Sequence, residues 1–362
     1  MKQMQVQPAR EDPFLPDFER RERALASLGP PWLGRVRREA IDAYHRRGPP
    51  STREEDWKYT DVSPILRGSY SPAPPASVSP DQLAEATTPG APLLVLVNGR
   101  VDTRLSRLGR LPEGVRVQPL AETLPASPPP LETLLRHKPL TGTPFALLNT
   151  ALFEDGAWID LAARATTSAP LQVLHLAVPG KVPHASHPRL LVTLGERAQA
   201  TLIETHIGIG GPAPYFTNVV TQIWAGPAAA LDHYKVQRES ETAYHVSSTD
   251  IRQARASQVT HHHAAFGAAL ARNDIAVSFN DEGAECTLNG LYMASGKRHV
   301  DTHTFVDHAK PQCTSRELYK GILDGHAQGV FYGKVVVQKD AQKTNASQSN
   351  KNLLLSETAL AN

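Results

Sequence analysis

The sequence predicts a mainly β protein: a stacked parallel β-solenoid with an α-helical front end. Three observations predict it. From about Leu171 onward strands are short, turns are frequent and helical periodicity nearly disappears. Within that half a pattern recurs in "VTLGERAQATLIETHI", "TQIWAGPAAALDHYKV", "TDIRQARASQVTHHHA", "VSFNDEGAECTLNGLY" and "TFVDHAKPQCTSRELY". Each copy reads as a strand, a polar or glycine turn, a small residue and a second strand. Ala198, Ala229, Ala256, Ala284 and Pro311 are read as equivalent positions, 27–31 residues apart, and such a period in β-rich sequence indicates a solenoid. Finally, "KTNASQSNKN" (343–352) gathers amides and hydroxyls that can ladder between neighbouring coils. One coil cannot bury its own inner face, but a stack can. A β-sandwich would also give many short strands; the shared phase of the small residues favours the solenoid.

The elements follow in order. Phe18, Leu25 and Leu28 share a helical face until "GPP" at Gly29–Pro31 breaks it. Leu33, Val36, Ala40 and Tyr44 resume the spacing until a second "GPP" at Gly48–Pro50, which gives two short helices. In "STREEDWKYTDVSPIL", Ser51 or Thr52 is expected to cap a turn, with Trp57 and Tyr59 supplying bulk for packing. "SPAPPASVSP" reads as a linker. "PLLVLVNGR" reads as a buried strand and an Asn-Gly turn, and "LPASPPPLETLL" as a loop entering a helix. "TPFALLNTALFEDGAWIDLA" reads as helix, turn at Asp155-Gly156, then strand. The division is a helical N-terminal region over 1–70, a mixed α/β connecting region over 71–165 and the solenoid core over 166–362.

Composition excludes several classes. The 38 basic and 36 acidic residues leave a charge of +2, without the one-sided basic excess of a duplex-binding surface. Two cysteines, Cys286 and Cys313, make no disulfide scaffold and fit a reducing compartment. No apolar run approaches the roughly 20 residues that span a bilayer, and the polar start has no signal-peptide core. The expected location is the cytoplasm, with neither nucleic acid nor membrane as partner.

Chemistry is sparse. The nearest match to a phosphate loop, Gly329 to Lys334, has too few residues between its glycines, lacks the hydroxyl that follows the lysine, and lies in strand-like sequence. In "THHHA", alternation puts His261 and His263 on one face and His262 on the other, and a surface or ladder role is expected rather than a metal site. "HVDTHTFVDHAKPQC" offers His299, Asp301, His303, Asp307, His308 and Cys313, with Asp301 and His303 on one face. Cys313, beside a small-residue slot, reads as a buried core residue. No nucleophile elbow or catalytic triad can be assembled. The residues give no catalytic group and no metal site.

Two stretches carry a family resemblance: "REEDWKYTDVSPIL" (53–66) and "HAKPQCTSRELYKGILDGHAQGVFYGKVVVQKDAQKTNASQSNKNLLLSETA" (308–359). Together they resemble the SufD family of the SUF iron–sulfur cluster assembly machinery. The resemblance implies a right-handed parallel β-helix core, a helical N-terminal region and a C-terminal helical region. It implies a non-catalytic subunit that pairs with the paralogous scaffold SufB and acts with the ATPase SufC. No cofactor would be held firmly by this chain, although an iron–sulfur cluster could reside transiently in the complex. Family members usually continue into a "KCSHG"-like segment and helices that dock SufC, whereas this sequence stops at Asn362; a truncated chain lacking the C-terminal helical region is expected. His308 and Cys313 match the family pattern H-x(4)-C-x-S-R-x-L and are the two candidate cofactor-binding residues, with no role implied for them. The alternatives are a SufB-type cluster carrier and, from another class, a secreted-type β-helix enzyme acting on polysaccharides. The latter would need clustered aspartates or a catalytic arginine on one face.

Overall fold

The structure, a computed structural model, describes residues 12–362; the polar start of the chain lies outside the described residues. Helices occupy the front of the chain: α1 (Phe14–Ala26), α2 (Pro31–Arg47), α3 (Ser63–Leu66), α4 (Leu120–Thr123), α5 (Pro129–Arg136) and α6 (Pro144–Leu152). The two GPP breaks act as expected. Pro31 occupies the first turn of α2, where a missing N–H costs nothing, and Gly48 closes it with φ 73°. Thr143 caps α6 by accepting the N–H of Ala146 at 3.2 Å. The turn before α3 departs from expectation. It starts at Glu54, whose N–H is bonded to the carbonyl of Ser51, without a side-chain cap. Trp57 is buried there, whereas Tyr59 is 48% exposed and packs little.

The rest is a β-solenoid of about seven turns. The chain alternates between two sheets, so that each strand pairs with the next but one in sequence. One sheet runs from Gly156–Leu161 through Tyr215–Ala225 and His299–His308 to Gln328–Val337. The other runs from Leu93–Val97 through Gln199–Gly208 and Gln258–Ala265 to Asn345–Leu354. The ladders between successive coils are parallel, which excludes a sandwich of hairpins. Among the described residues antiparallel pairing is confined to the first coil, where Arg100–Val101 and Val115–Pro119 cover the two starting strands. The hairpin at Asn98-Gly99 has both residues at positive φ, 51° and 83°, as its sequence predicts.

The repeat is real, but two of its five assigned positions are displaced. The residues directly before the paired strands are Ala198, Ala229, Ser257, Ala284 and Cys313, all fully buried. Ala256 instead occupies the left-handed turn position one residue earlier, at φ 54°, equivalent to Arg197, Ala228, Gly283 and Gln312. Pro311 lies one residue before that. Small residues suit both the turn and the slot, so composition alone does not separate them. Cys313 therefore occupies the slot itself. Most of the polar "KTNASQSNKN" segment lies in the strand Asn345–Leu354, at the end of the second sheet and in register on Thr314–Leu323, but with most of its side chains exposed. One ladder contact reaches across a coil: Tyr292 donates to Asn352 Oδ1 at 2.5 Å, passing over Gly321.

The outer face of the first sheet is covered by helices. Asn149 in α6 donates to the carbonyls of Pro188 and Asn218, both at 2.9 Å, and Phe145 packs against Phe216. The closest approach in this region is at Gly156, paired with Arg189. A Cβ there would stand 1.8 Å from the Arg189 carbonyl oxygen. Gly156→Ala is expected to destabilise the fold by about 2 kcal/mol or more, read as a lowered urea midpoint with an unchanged slope.

Candidate functional site: the polar interior of the solenoid

Inside a solenoid the inward side chains of successive coils lie directly over one another. In the second sheet one column reads Val173, Glu204, Lys235, His263, Gly290 and Tyr319. Its neighbours carry His175 over His206 over Gln237, and Leu202 over His233 over His261. The late coils fill these columns with Leu288, Tyr292 and Tyr319. The middle coils fill them with polar and ionisable groups, Glu204, Lys235, His206, His233, His261 and His263, and Glu239 and His245 adjoin them; all are at most 5% exposed.

Glu204 is the hub. Its carboxylate receives Nε2 of His206 at 2.8 Å, Nε2 of His233 at 3.2 Å and the Thr221 hydroxyl at 3.0 Å. The Lys235 ammonium lies 3.4 Å away, and His175 Nε2 3.8 Å away. Because an ionised carboxylate only accepts, His206 and His233 carry their protons on Nε2. His233 Nδ1 then accepts from His261 Nδ1 at 3.1 Å, leaving His261 Nε2 unprotonated and unpartnered. A second carboxylate, Glu239, contacts His245 Nδ1 at 2.6 Å and receives the Thr217 hydroxyl at 2.7 Å. The rings of His206 and His245, 5.0 Å apart, join the two groups.

Electrostatics fixes the charge states. Burial pushes the Glu204 carboxyl up, but the Lys235 charge and the two histidine hydrogen bonds outweigh it, and the net shift is well below the ordinary value. Burial likewise opposes ionisation of Glu239, and His245 reverses it, bringing the group to about 2. Burial lowers His206 to about 4 and holds His175 well below its ordinary range. At neutral pH the interior thus holds ionised Glu204 and Glu239 beside neutral His175 and His206. Several nitrogens have no partner: both of His175, Nδ1 of His206 and Nε2 of His261 and His263. Unpaired buried polar atoms are rare and call for an explanation.

Two family profiles cover nearly the whole chain: the SufBD protein N-terminal region over residues 9–173 and the SUF system FeS cluster assembly SufBD core domain over residues 177–362. The chain belongs to the SufBD family. An iron–sulfur cluster assembly SufBD family protein of Synechocystis is 31% identical over 86% of this chain and 71% of its own length. The iron–sulfur cluster assembly protein SufD of Escherichia coli K12 is 27% identical over 87% of this chain and 72% of its own length. SufD of Bacillus subtilis is 20% identical over 59% of this chain and 48% of its own length. SufBD proteins are components of iron–sulfur cluster assembly, and the polysaccharide reading has no support among these relatives. Among the described residues no helix is long and apolar enough to cross a membrane.

The sequence-predicted residues of this SufBD protein fall in three places. His261 and His263 share a face as expected, but it is the buried interior, not the surface; only His262 faces outward, stacked on Tyr234 at 4.5 Å. Asp301 and His303 also share a face, 3.1 Å apart, on the outer side of the first sheet. There the N-terminal marker docks. Arg272 donates to Asp301 at 2.5 Å, to Asp274 at 2.7 Å and to the Asp56 carbonyl at 2.9 Å, and lies 4.2 Å over the Trp57 ring. The Thr60 hydroxyl completes the clamp on Asp301. The "EEDWKYT" motif is thus a fastener between the N-terminal region and the solenoid. His308 and Cys313 point inward on one coil. His308 bonds the Ser315 hydroxyl at 2.8 Å and packs on Phe279, while the Cys313 thiol donates to the carbonyls of Asp281 and Pro311 at 3.4 and 3.5 Å. Burial raises the Cys313 thiol and lowers His308, so both are neutral packing groups in this geometry.

The sequence reading missed the hub. A signal for it exists. Counted from the corrected slots, Glu204, Lys235 and His263 are each the sixth residue after Ala198, Ala229 and Ser257. Counting from Ala256 gives His262 instead, on the opposite face.

Two outcomes follow from these contacts. Arg272→Met should cost about 3–5 kcal/mol at neutral pH, because it leaves Asp301 and Asp274 buried without their cation. Burial opposes the Asp301 charge, but Arg272 and its hydrogen bonds hold its pKa below the ordinary value. The pair therefore stabilises the fold above about pH 4 and loses that contribution as pH falls. The deficit of the variant in urea unfolding should be largest above that pH and shrink below it. Cys313→Ala should cost less than about 1.5 kcal/mol, since three equivalent slots already hold alanine; thermal unfolding checks this.

Proposed function

We propose that this chain is a non-catalytic scaffold subunit of the SUF machinery, pairing with a SufB-like paralogue and acting with a SufC-like ATPase in the cytoplasm. The nascent iron–sulfur cluster is cargo of the complex and not a resident cofactor of this chain. The observation that carries the reading is the match to both SufBD profiles, together with relatives named SufD over most of the chain. Assigning ATP hydrolysis to the SufC-like subunit agrees with the fate of Gly329–Lys334. The segment closest to a phosphate loop is part of the strand Gln328–Val337, with its backbone committed to the ladder.

Co-expression with a SufB-like paralogue should yield a stoichiometric complex that survives size-exclusion chromatography. Recovery of the two proteins in separate peaks would defeat the pairing. Anaerobic reconstitution with iron and sulfide separates the alternative, since a stoichiometric cluster on the isolated chain would make it a SufB-type carrier.

A further inference from the structure

The interior cluster holds several groups that hydrogen bonding leaves unexplained, and His175 is the one placed beside a second histidine and a carboxylate. His175 is 5% exposed, and neither of its ring nitrogens has a partner. Its ring is stacked on His206 at 4.3 Å with an interplanar angle of 5°. Both rings are next to the Glu204 carboxylate, and one ligand atom from each of the three residues lies within 4.8 Å of the others. We propose that His175, Glu204 and His206 form a binding site for one divalent first-row transition cation of the Zn²⁺ or Fe²⁺ kind. The inference does not depend on which subunit the chain pairs with.

The donor set fits that class. Imidazole and carboxylate together suit zinc and ferrous iron, whereas magnesium and calcium ask for oxygen alone. Metal–nitrogen bonds of about 2.0–2.1 Å require donors roughly 3.4 Å apart in a tetrahedral shell. Closing to that spacing calls for a rotation of His175, which has no hydrogen bond to lose. Binding through His206 Nε2 moves its proton to Nδ1, which has no partner at present. The second shell already exists. His233 holds Glu204 Oε2 at 3.2 Å and the Thr221 hydroxyl bridges Oε2 and Oε1 at 3.0 and 3.2 Å, while Oε1 also faces His175 and His206. A small cavity borders the site: His175, His206, Thr217 and Glu239 line it together with the partly exposed Gly99 and Ser186.

Lys235 is the competitor. Its ammonium lies 3.4 Å from Oε1 and has no hydrogen-bond partner. In the metal-free protein it supplies the positive charge that Glu204 requires. A divalent cation at the same oxygen must displace that charge, so removing Lys235 strengthens binding, whereas removing a ligand weakens it. A cluster that is only structural predicts no such pair of opposite effects.

The test uses the full chain stripped of metal by chelator. Zn²⁺, and Fe²⁺ under anaerobic conditions, are titrated and the retained metal is measured after gel filtration. Co²⁺ serves as the spectroscopic probe. Wild type should retain one equivalent and give Co²⁺ ligand-field bands of a nitrogen–oxygen site. Glu204→Gln and His175→Gln should each weaken binding about tenfold or more. Lys235→Met should tighten it, and His262→Gln on the outer face should leave it unchanged. Retention of no metal by wild type overturns the proposal, as does binding that both ligand variants leave intact. If Glu204→Gln does not fold, His175→Gln and Lys235→Met decide between them: failure of the two to move affinity in opposite directions overturns the site.

Discussion

In-register parallel stacking is the constraint on which the rest of the structure depends. Each inward residue has a fixed neighbour above and below, roughly one coil away in sequence, and none of them can turn to solvent. The turns before five successive strands of the second sheet, from Gln199–Gly208 to Thr314–Leu323, repeat one geometry, a left-handed residue followed by a buried small one, and this keeps the register. With register fixed, a column can change chemistry from coil to coil only if its neighbours answer it. The column through Leu202, His233, His261 and Leu288 passes from apolar to polar and back. Its polar middle is tolerated because Glu204, in the next column, anchors the chain of imidazole hydrogen bonds.

The same constraint explains why the two outer faces differ. The first sheet carries α6 and the marker that leads into α3, so its outward residues are large or paired: Phe216 and Asn218 beneath α6, and Arg272 and Asp301 beneath Trp57 and Thr60. Arg272 works as a fastener because its fork has a carboxylate at both ends and an aromatic ring across its face, leaving little of it unsatisfied. The second sheet has no such cover over Tyr234, Leu291, Met293 and Leu318, which remain exposed. Among the described residues the molecule is therefore reinforced on one side and uncovered on the other.

The fold was largely legible because periodicity and punctuation are local signals. The GPP breaks bounded α1 and α2, Asn98-Gly99 marked its hairpin, and the small residues marked the coils. Reading failed where one composition serves two positions. Ala256 could be turn or slot, and a displacement of one residue exchanges the inside of the strand for the outside. His261 and His263 were correctly placed on a common face, but alternation does not say whether that face is wet or buried. The hub was harder still. His175, Glu204, His233 and His261 come from four coils, and their meeting depends on register rather than on any spacing within one motif. Tyr59 shows the converse: its bulk beside Trp57 suggested packing, but the short turn aims only the tryptophan inward.

The late coils show that this fold can fill its interior with apolar and aromatic side chains, since Leu288, Tyr292 and Tyr319 do so in the same columns. Exchanging a buried ion pair for well-packed apolar groups is often neutral or stabilising. Stability therefore gives no reason for Glu204, Lys235 and their histidines to occupy the middle coils. Desolvating the two charges costs several kcal/mol per ion before attraction offsets it, and the unpartnered nitrogens add to that cost. A scaffold whose only task was to hold a surface toward other subunits would be served better by the packing of its own late coils. The polar interior is more readily explained as a site than as architecture, and it centres on Glu204 beside His175, whose ring nitrogens have no hydrogen-bond partner.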